Sequence, residues 1–119
     1  MPDYIGSPTR VETVGNRPRT VDEYFGIINT EDKKVSIAHS RSPAGWIGVG
    51  QRPEYDEFTV VIKGTLKVEY AGGSVDVQAG EAIHSYRDEW IRYSTPRENG
   101  AEYYSVCVPA HTRANVHRD

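Results

Sequence analysis

Three side chains that could bind a ligand or move a proton share one parity within a short segment. Gln51, Tyr55 and Glu57 are separated by even numbers of residues, so on a β-strand they point to the same side. A carboxylate that faces an apolar interior is unfavourable unless it is paired or protonated, and burial raises its pKa toward the range of a general acid or base. We therefore predict Glu57 as a catalytic residue, with Gln51 and Tyr55 as ligand-binding residues.

His84 is the second candidate for catalysis, because a neutral imidazole close to a carboxylate forms a usable proton-transfer pair. It lies on the predicted strand that follows Gly80. Parity does not decide whether His84 points inward or outward, since the chain bends near Arg87 and Asp88. The other three histidines are expected at a strand end or in a solvated tail: His39, His111 and His117.

Three residues of a later strand, Trp90, Arg92 and Tyr93, are the remaining candidates for ligand binding. Aromatic rings could line a pocket, although in a small barrel they more often fill the core. Arg92 has a second conceivable role, because a buried arginine or a tyrosine hydroxyl could satisfy Glu57 in a purely structural pair. The functional and the structural interpretation of Glu57 both stay open at this point.

Short alternating segments separated by turns predict an all-β protein around these residues. Leu66, Val68 and Tyr70 alternate with Lys67 and Glu69, which is typical of a half-buried strand. Further strands are predicted over residues 35–39, 58–62, 75–77, 81–85, 90–94 and 102–108, with a break at residues 63–64, and residues 21–28 are a helical turn or an edge strand. No crossover helix has room between the strands, so a sandwich or a small barrel is favoured.

The composition describes one ordinary domain and excludes several classes of function. The chain has 119 residues, 26% of them charged, and a net charge of −3. Its 14 basic residues are scattered, so the basic footprint of a nucleic-acid-binding protein is absent. No apolar run approaches the ~20 residues that a membrane span needs. A single cysteine, Cys107, cannot form an internal disulfide, which favours a cytoplasmic location.

Two groups of residues stand at fixed spacings on either side of the predicted hairpin. The first group consists of Gly45, Gln51, Pro53, Glu57 and Gly64, and the second of Gly80, Tyr86, Asp88, Ile91 and Thr95. These spacings resemble the two sequence motifs of cupins, and the resemblance covers about residues 35–109. It implies an all-β, single-domain cupin β-barrel, a double-stranded jelly roll, with Gln51, Tyr55 and Glu57 facing the barrel interior.

The same resemblance implies that the usual cupin metal ligands are mostly missing. Cupins bind a divalent metal through two histidines and a glutamate of the first motif and a histidine of the second; those positions here are Gln51, Pro53, Glu57 and Ile91. Transition-metal sites prefer imidazole or thiolate ligands, usually at least three from the protein. We therefore predict no metal and no other cofactor at this site. The alternative is an unusual metal site built from Glu57, His84 and His39.

These observations combine into one predicted organisation and function. Residues 1–34 form an N-terminal arm and edge strand, residues 35–109 the barrel core, and residues 110–119 a polar C-terminal tail. We predict a small-molecule pocket inside the barrel, used for binding or for acid/base chemistry such as isomerisation or cyclisation; whether the protein is an enzyme stays open. The alternatives are a non-catalytic accessory or sensor protein and a metal-dependent enzyme. Apolar residues on both faces of the strand from Phe58 to Ile62 predict a homodimer, with no nucleic-acid or membrane partner.

Overall fold

The computed structural model describes residues 1–119 as an all-β chain with no helix. Nine strands follow one another in the order β1 (Thr9–Arg10), β2 (Thr20–Phe25), β3 (Ser36–Ser42), β4 (Trp46–Ile47), β5 (Asp56–Tyr70), β6 (Gly73–Gln78), β7 (Ala82–Ser85), β8 (Ile91–Thr95) and β9 (Ala101–Val108). Every pairing between them is antiparallel. The predicted all-β class is therefore confirmed. Of residues 21–28, the first five belong to strand β2, which pairs with β1 and β3, and the rest form a turn. No helix that could span a membrane is found.

One long strand, β5, belongs to both halves of a curled sheet. Its first part pairs with β7 and β9, and its second part pairs with β6 and β8. The change of partners occurs at Gly64, which has a φ of +73° and lies so close to the carbonyl oxygen of Gly100 that a Cβ atom would collide with it. Glycine is required at this corner, because other residues rarely adopt a positive φ. The predicted break at residues 63–64 is thus a bend within one strand.

Alternation along β5 separates the barrel interior from its outer surface. Glu57, Thr59 and Val61 are buried, whereas Phe58 and Val60 are largely exposed. Period-two burial of this kind is expected for a strand with one face on a core. The main apolar cluster consists of Val61, Leu66, Val68, Val77, Ile91, Ala101 and Tyr103. This cluster fills one part of the interior, and a smaller buried cluster consists of Tyr55, Cys107 and Val116.

Both termini pack against the barrel. In the N-terminal arm, the indole Nε1 of Trp46 donates to the carbonyl of Val14 at 3.2 Å, and the amide of Asn16 donates to the carbonyl of Ile47 at 3.1 Å. In the C-terminal tail, the carbonyl of His117 accepts from the amide of Arg52 at 3.0 Å, and Val116 is buried. The arm and the tail are therefore held at defined positions on the barrel.

Candidate functional site

A cavity of about 120 Å³ occupies the interior that the apolar cluster leaves open. Such a volume holds several water molecules and hence a small organic molecule. Strands of the barrel, the N-terminal arm and the C-terminal tail all contribute to its wall, which consists of Val11, Glu12, Thr13, Val14, Arg19, Val21, Glu23, Ser36, Ala38, Ser40, Trp46, Gly48, Val49, Gln51, Tyr55, Glu57, Tyr93, Tyr103, Ser105, Cys107, His111 and Arg118. Apolar and aromatic surface mixed with a few polar groups is typical of a small-molecule site.

Glu57 is the buried carboxyl group of this cavity. The phenol of Tyr93 donates to its Oε1 at 2.8 Å, and Ser85 Oγ lies 3.2 Å from the Tyr93 oxygen. Because the Tyr93 proton is directed at Glu57, Ser85 is the donor in the second contact. Burial raises the pKa of Glu57 above its ordinary value, and the hydrogen bond from Tyr93 opposes only part of that shift. Burial also raises the pKa of Tyr93, so its phenol stays protonated.

Gln51 and Tyr55 reach the same cavity, although the chain between them is not part of a regular strand. The amide of Gln51 lies 3.5 Å from the Tyr55 hydroxyl, a long contact for a hydrogen bond. The backbone amides of Arg52 and Glu54 are bonded to the C-terminal tail. These alternate bonds keep the segment extended, so the side chains between them turn toward the interior. Four of the predicted site residues thus line one cavity: Gln51, Tyr55, Glu57 and Tyr93.

The arm supplies an arginine to the cavity wall. Nη1 of Arg19 donates to the Tyr103 hydroxyl at 2.8 Å, and its guanidinium carbon lies 4.3 Å from the ring centre of Trp46. A cation over an indole ring is a favourable arrangement. Nε of Arg19 is buried and has no hydrogen-bond partner.

The tail supplies His111 and Arg118. The ring of His111 meets the ring of Tyr55 edge-on, with 5.8 Å between the centroids. Burial lowers the pKa of His111 to about 4, with further lowering by the charges of Arg118 and Arg19, so the imidazole is neutral at pH 7. The expectation that His111 is solvated is therefore wrong. Arg118 lies at the cavity mouth, where its side chain is exposed.

His84 points away from the cavity, which corrects its predicted placement beside Glu57. In the pairing of β5 with β7, Glu57 stands opposite Ser85 and Phe58 stands opposite His84. Directly opposed residues lie on the same face of a sheet, so Ser85 shares the interior with Glu57 and His84 shares the outer face with Phe58. The imidazole is stacked on Phe58, with 4.1 Å between the ring centroids, and Tyr86 covers its other side.

Trp90 and Arg92 also lie outside the cavity, contrary to the predicted site. The indole of Trp90 donates to Asp119 at 3.0 Å. The guanidinium of Arg92 forms an ion pair with Glu69 at 2.9 Å. Arg92 therefore cannot be the buried partner of Glu57, and the tyrosine hydroxyl of Tyr93 takes that place.

Comparisons with known proteins agree on the fold. No family model matches the chain. Streptomyces PAC13, solved with uridine, superposes on all of this chain and 92% of its own, with a TM-score of 0.77 at 13% identity. Oxalate decarboxylase of Bacillus subtilis matches 96% of this chain and 30% of its own, with a TM-score of 0.76 at 16% identity. The EutQ protein of Clostridium difficile matches 80% of this chain and 66% of its own, with a TM-score of 0.64 at 25% identity.

The chain has the cupin fold. At the level of sequence, the endoribonuclease YbeY of Myxococcus xanthus is 32% identical over 92 residues, which are 77% of this chain and 31% of that protein. This chain therefore spans less than a third of the length of that relative. A match over so small a part does not assign the endoribonuclease activity to this chain.

The residues at the usual cupin metal position do not fit a metal. Pro53 and Ile91 offer no donor atom, and Ile91 is part of the apolar cluster. Nowhere in the chain do three or more His, Cys, Asp or Glu side chains converge as ligands. The alternative metal ligands Glu57, His84 and His39 do not converge, because Glu57 lies inside the barrel and both histidines lie on its outer face. For His39 this follows from its neighbours Ala38 and Ser40, which line the cavity. Its Nε2 atom lies 2.8 Å from Glu102.

Several cavity residues were not among those predicted from the sequence. Trp46, Tyr103 and Cys107 lie on strands, and their alternation could have suggested an inward direction. Arg19 and Arg118 carry no such signal, because they lie in the irregular arm and tail. Only the packing of both termini on the barrel brings these two residues to the cavity.

Proposed function

We propose that this cupin binds a small molecule inside its barrel and that Glu57 transfers a proton on it. The observation that carries the proposal is a buried carboxyl group that lines a cavity without forming an ion pair. A carboxyl group kept in such surroundings has a raised pKa and suits general acid or base catalysis near neutral pH. A protein of similar fold supports a small-molecule cavity, since PAC13 was solved with uridine.

The chemistry that this arrangement favours is isomerisation or cyclisation. Glu57 would remove a proton from a carbon or oxygen of the ligand and return it at another position, so no electrons are lost and no co-substrate is needed. Tyr93, held by Ser85, would steady the carboxylate while it is charged. The neutral imidazole of His111 is a second group at the wall that could accept a proton.

Three further properties belong to this proposal. The reaction needs no metal, because the position that would hold one offers a glutamine, a proline, a glutamate and an isoleucine. The protein works as a homodimer through the outer face of β5, where Phe58, Val60 and Ile62 are 41%, 46% and 43% exposed. Its location is the cytoplasm, which agrees with the single free thiol of Cys107.

The test begins with the cavity itself. A panel of small hydroxy-carbonyl and ring compounds is screened by thermal shift against the unchanged chain and against Ala38→Phe, which fills the cavity. Ile47→Phe adds the same side chain on the outer side of β4, at a position that is 45% exposed, and is the matched control. We expect compounds that stabilise the chain and the control but not Ala38→Phe. Stabilisation that survives in Ala38→Phe would place binding elsewhere.

Catalysis is tested separately on any compound that binds. Glu57→Gln should keep binding within a few-fold while exchange of ligand protons with D2O, followed by NMR, is lost. Binding with no proton exchange in the unchanged chain would favour the accessory or sensor role instead. Metal content, measured by mass spectrometry on protein purified without added ions, should be well below one equivalent.

A further inference from the structure

Two arginines share the wall of the cavity, and neither has a carboxylate partner. Arg19 comes from the N-terminal arm and Arg118 from the C-terminal tail. No ion pair of the structure includes either guanidinium. Like charges brought to one small cavity repel each other, and the pKa of Arg118 is lowered by its partial desolvation and by the charge of Arg19. A negatively charged group beside the two guanidinium groups would relieve this repulsion.

The hydrogen bonding of Arg19 shows that its donors are not used up by the protein. Its Nη1 atom donates to Tyr103, but the buried Nε–H has no acceptor. A buried donor without a partner costs roughly 1–3 kcal/mol, so such groups are rarely left unmet without a reason. Arg118 makes no side-chain hydrogen bond at all, and its fork of donors is free at the mouth. Planar guanidinium groups bind carboxylate and phosphate oxygens in pairs of parallel hydrogen bonds.

The acidic residues of the wall do not cancel this positive charge. Oε2 of Glu23 accepts from the backbone amides of Ile28 and Asn29, both at 2.9 Å, so its charge is already satisfied. Glu12 is exposed and pairs with Arg113 at 2.7 Å. Glu57 is bonded to Tyr93, and burial raises its pKa more than the nearby charge of Arg19 lowers it. The two guanidinium groups are therefore the main charges of the cavity wall.

We propose that the ligand of this cavity is a small organic oxyanion whose carboxylate or phosphate group is held by Arg19 and Arg118. This inference rests on the proposed function, since it names the substrate class of the same cavity. The anionic group stays at the arginines near the mouth, and the uncharged part of the molecule enters the barrel toward Glu57. Fixing one end of the ligand in this way would present the other end to the carboxyl group for proton transfer.

The experiment compares three probes by isothermal titration at matched ionic strength: benzoate, benzamide and inorganic phosphate. Benzoate and benzamide have nearly the same shape and differ in charge, while phosphate reports on the other oxyanion. The variants are Arg19→Gln, Arg118→Gln and the double variant. Arg52→Gln is the matched control, because it removes the same charge from an exposed side chain that forms no ion pair and lies outside the cavity.

We expect benzoate or phosphate to bind at least about tenfold more tightly than benzamide, which is the worth of one charge-assisted hydrogen bond. Arg118→Gln should remove most of this preference, and Arg52→Gln should keep it. Arg118→Gln is the safer variant, because its side chain makes no hydrogen bond in the folded chain, whereas Arg19→Gln loses the bond to Tyr103. Circular dichroism confirms that each variant is folded. Benzoate alone would identify a carboxylate ligand, and phosphate alone a phosphate ligand.

Two further outcomes distinguish failure of the anionic ligand from failure of the proposed small-molecule cavity. Equal affinity for benzamide and benzoate, or anion binding that persists in the double variant, would overturn the anionic ligand and leave the cavity standing. Failure of both anions to bind the unchanged chain would also overturn it. If Ala38→Phe abolishes binding of neutral compounds from the screening panel at the same time, the proposed function survives alone.

Discussion

The phenol of Tyr93 donates a 2.8 Å hydrogen bond to Glu57 across the barrel, from β8 to β5, although the two residues are 36 positions apart. The two strands meet only along the second part of β5, beyond its bend, whereas Glu57 lies in the first part. The contact therefore crosses the interior rather than following a sheet. It is the central polar interaction of the cavity.

Removing this hydroxyl should weaken the fold measurably. Tyr93→Phe leaves the buried carboxyl of Glu57 without its donor and Ser85 without its acceptor, so we expect a loss of about 1–2 kcal/mol in the free energy of unfolding. Urea denaturation of both proteins measures it. Tyr104→Phe, which removes a hydroxyl from a half-exposed outer ring, is the control and should change stability by less than about 0.5 kcal/mol. Equal effects of the two changes would contradict a special role for the Tyr93 hydroxyl.

Glu57→Gln should alter the dependence of stability on pH in one direction. The pKa of Glu57 is raised in the folded chain above its usual value of 4.5, so between these two values the folded state holds more protons than the unfolded state. The contribution of Glu57 to stability is thus present at low pH and lost as pH rises through the folded pKa. Glu57→Gln lacks this loss, so its stability relative to the unchanged chain should increase from pH 4.5 to pH 8.

Denaturation curves at several pH values provide the measurement, and Glu98→Gln, on an exposed side chain without an ion pair, is the control. A relative stability of Glu57→Gln that does not change with pH would show that Glu57 titrates normally. That result would remove the physical basis for general acid or base catalysis.

His111 should make the fold less stable at low pH, which is opposite to the effect of Glu57. Its pKa is lowered to about 4 in the folded chain from 6.5, so between these values the unfolded state binds the extra proton. The free energy of unfolding should therefore fall by about 1–3 kcal/mol as the pH drops from 6.5 to 4. This range is smaller than the full pKa shift implies, because the cavity is partly open to solvent. His111→Gln should lose this part of the acid sensitivity. Urea denaturation of both proteins at several pH values measures the difference.

The apolar outer face of β5 predicts a dimer. Phe58, Val60 and Ile62 are all more than 40% exposed and form a row on one face of the strand. An interface over this row would bury ~800 Å² per partner if it resembles other stable dimers. Light scattering at micromolar concentration should give the mass of a dimer, and Val60→Glu should give that of a monomer. Ile47→Glu, at 45% exposure on the outer side of β4, is the matched control and should stay dimeric. A monomeric unchanged chain would refute the dimer.

The sequence alone determined those features that arise from local alternation and spacing. The period of two along the strands predicted an all-β chain. The spacing between Gly45 and Gly64 matched the first cupin motif, and Gly64 is the residue at the bend in β5. The shared parity of Gln51, Tyr55 and Glu57 placed them correctly on one side, because the segment before β5 is extended and an extended chain directs alternate side chains to opposite faces.

The tertiary structure alone decided which distant groups meet at the cavity. His84 lies outside because the register of β7 places Ser85, rather than His84, opposite the inward face of β5. Arg19 reaches Tyr103 across 84 positions of the chain. Such contacts depend on how the irregular arm and tail close over the barrel, and no periodic pattern encodes that closure. The carboxyl group was therefore predictable from the sequence, whereas the cations at the cavity wall emerged only from the packing of both termini.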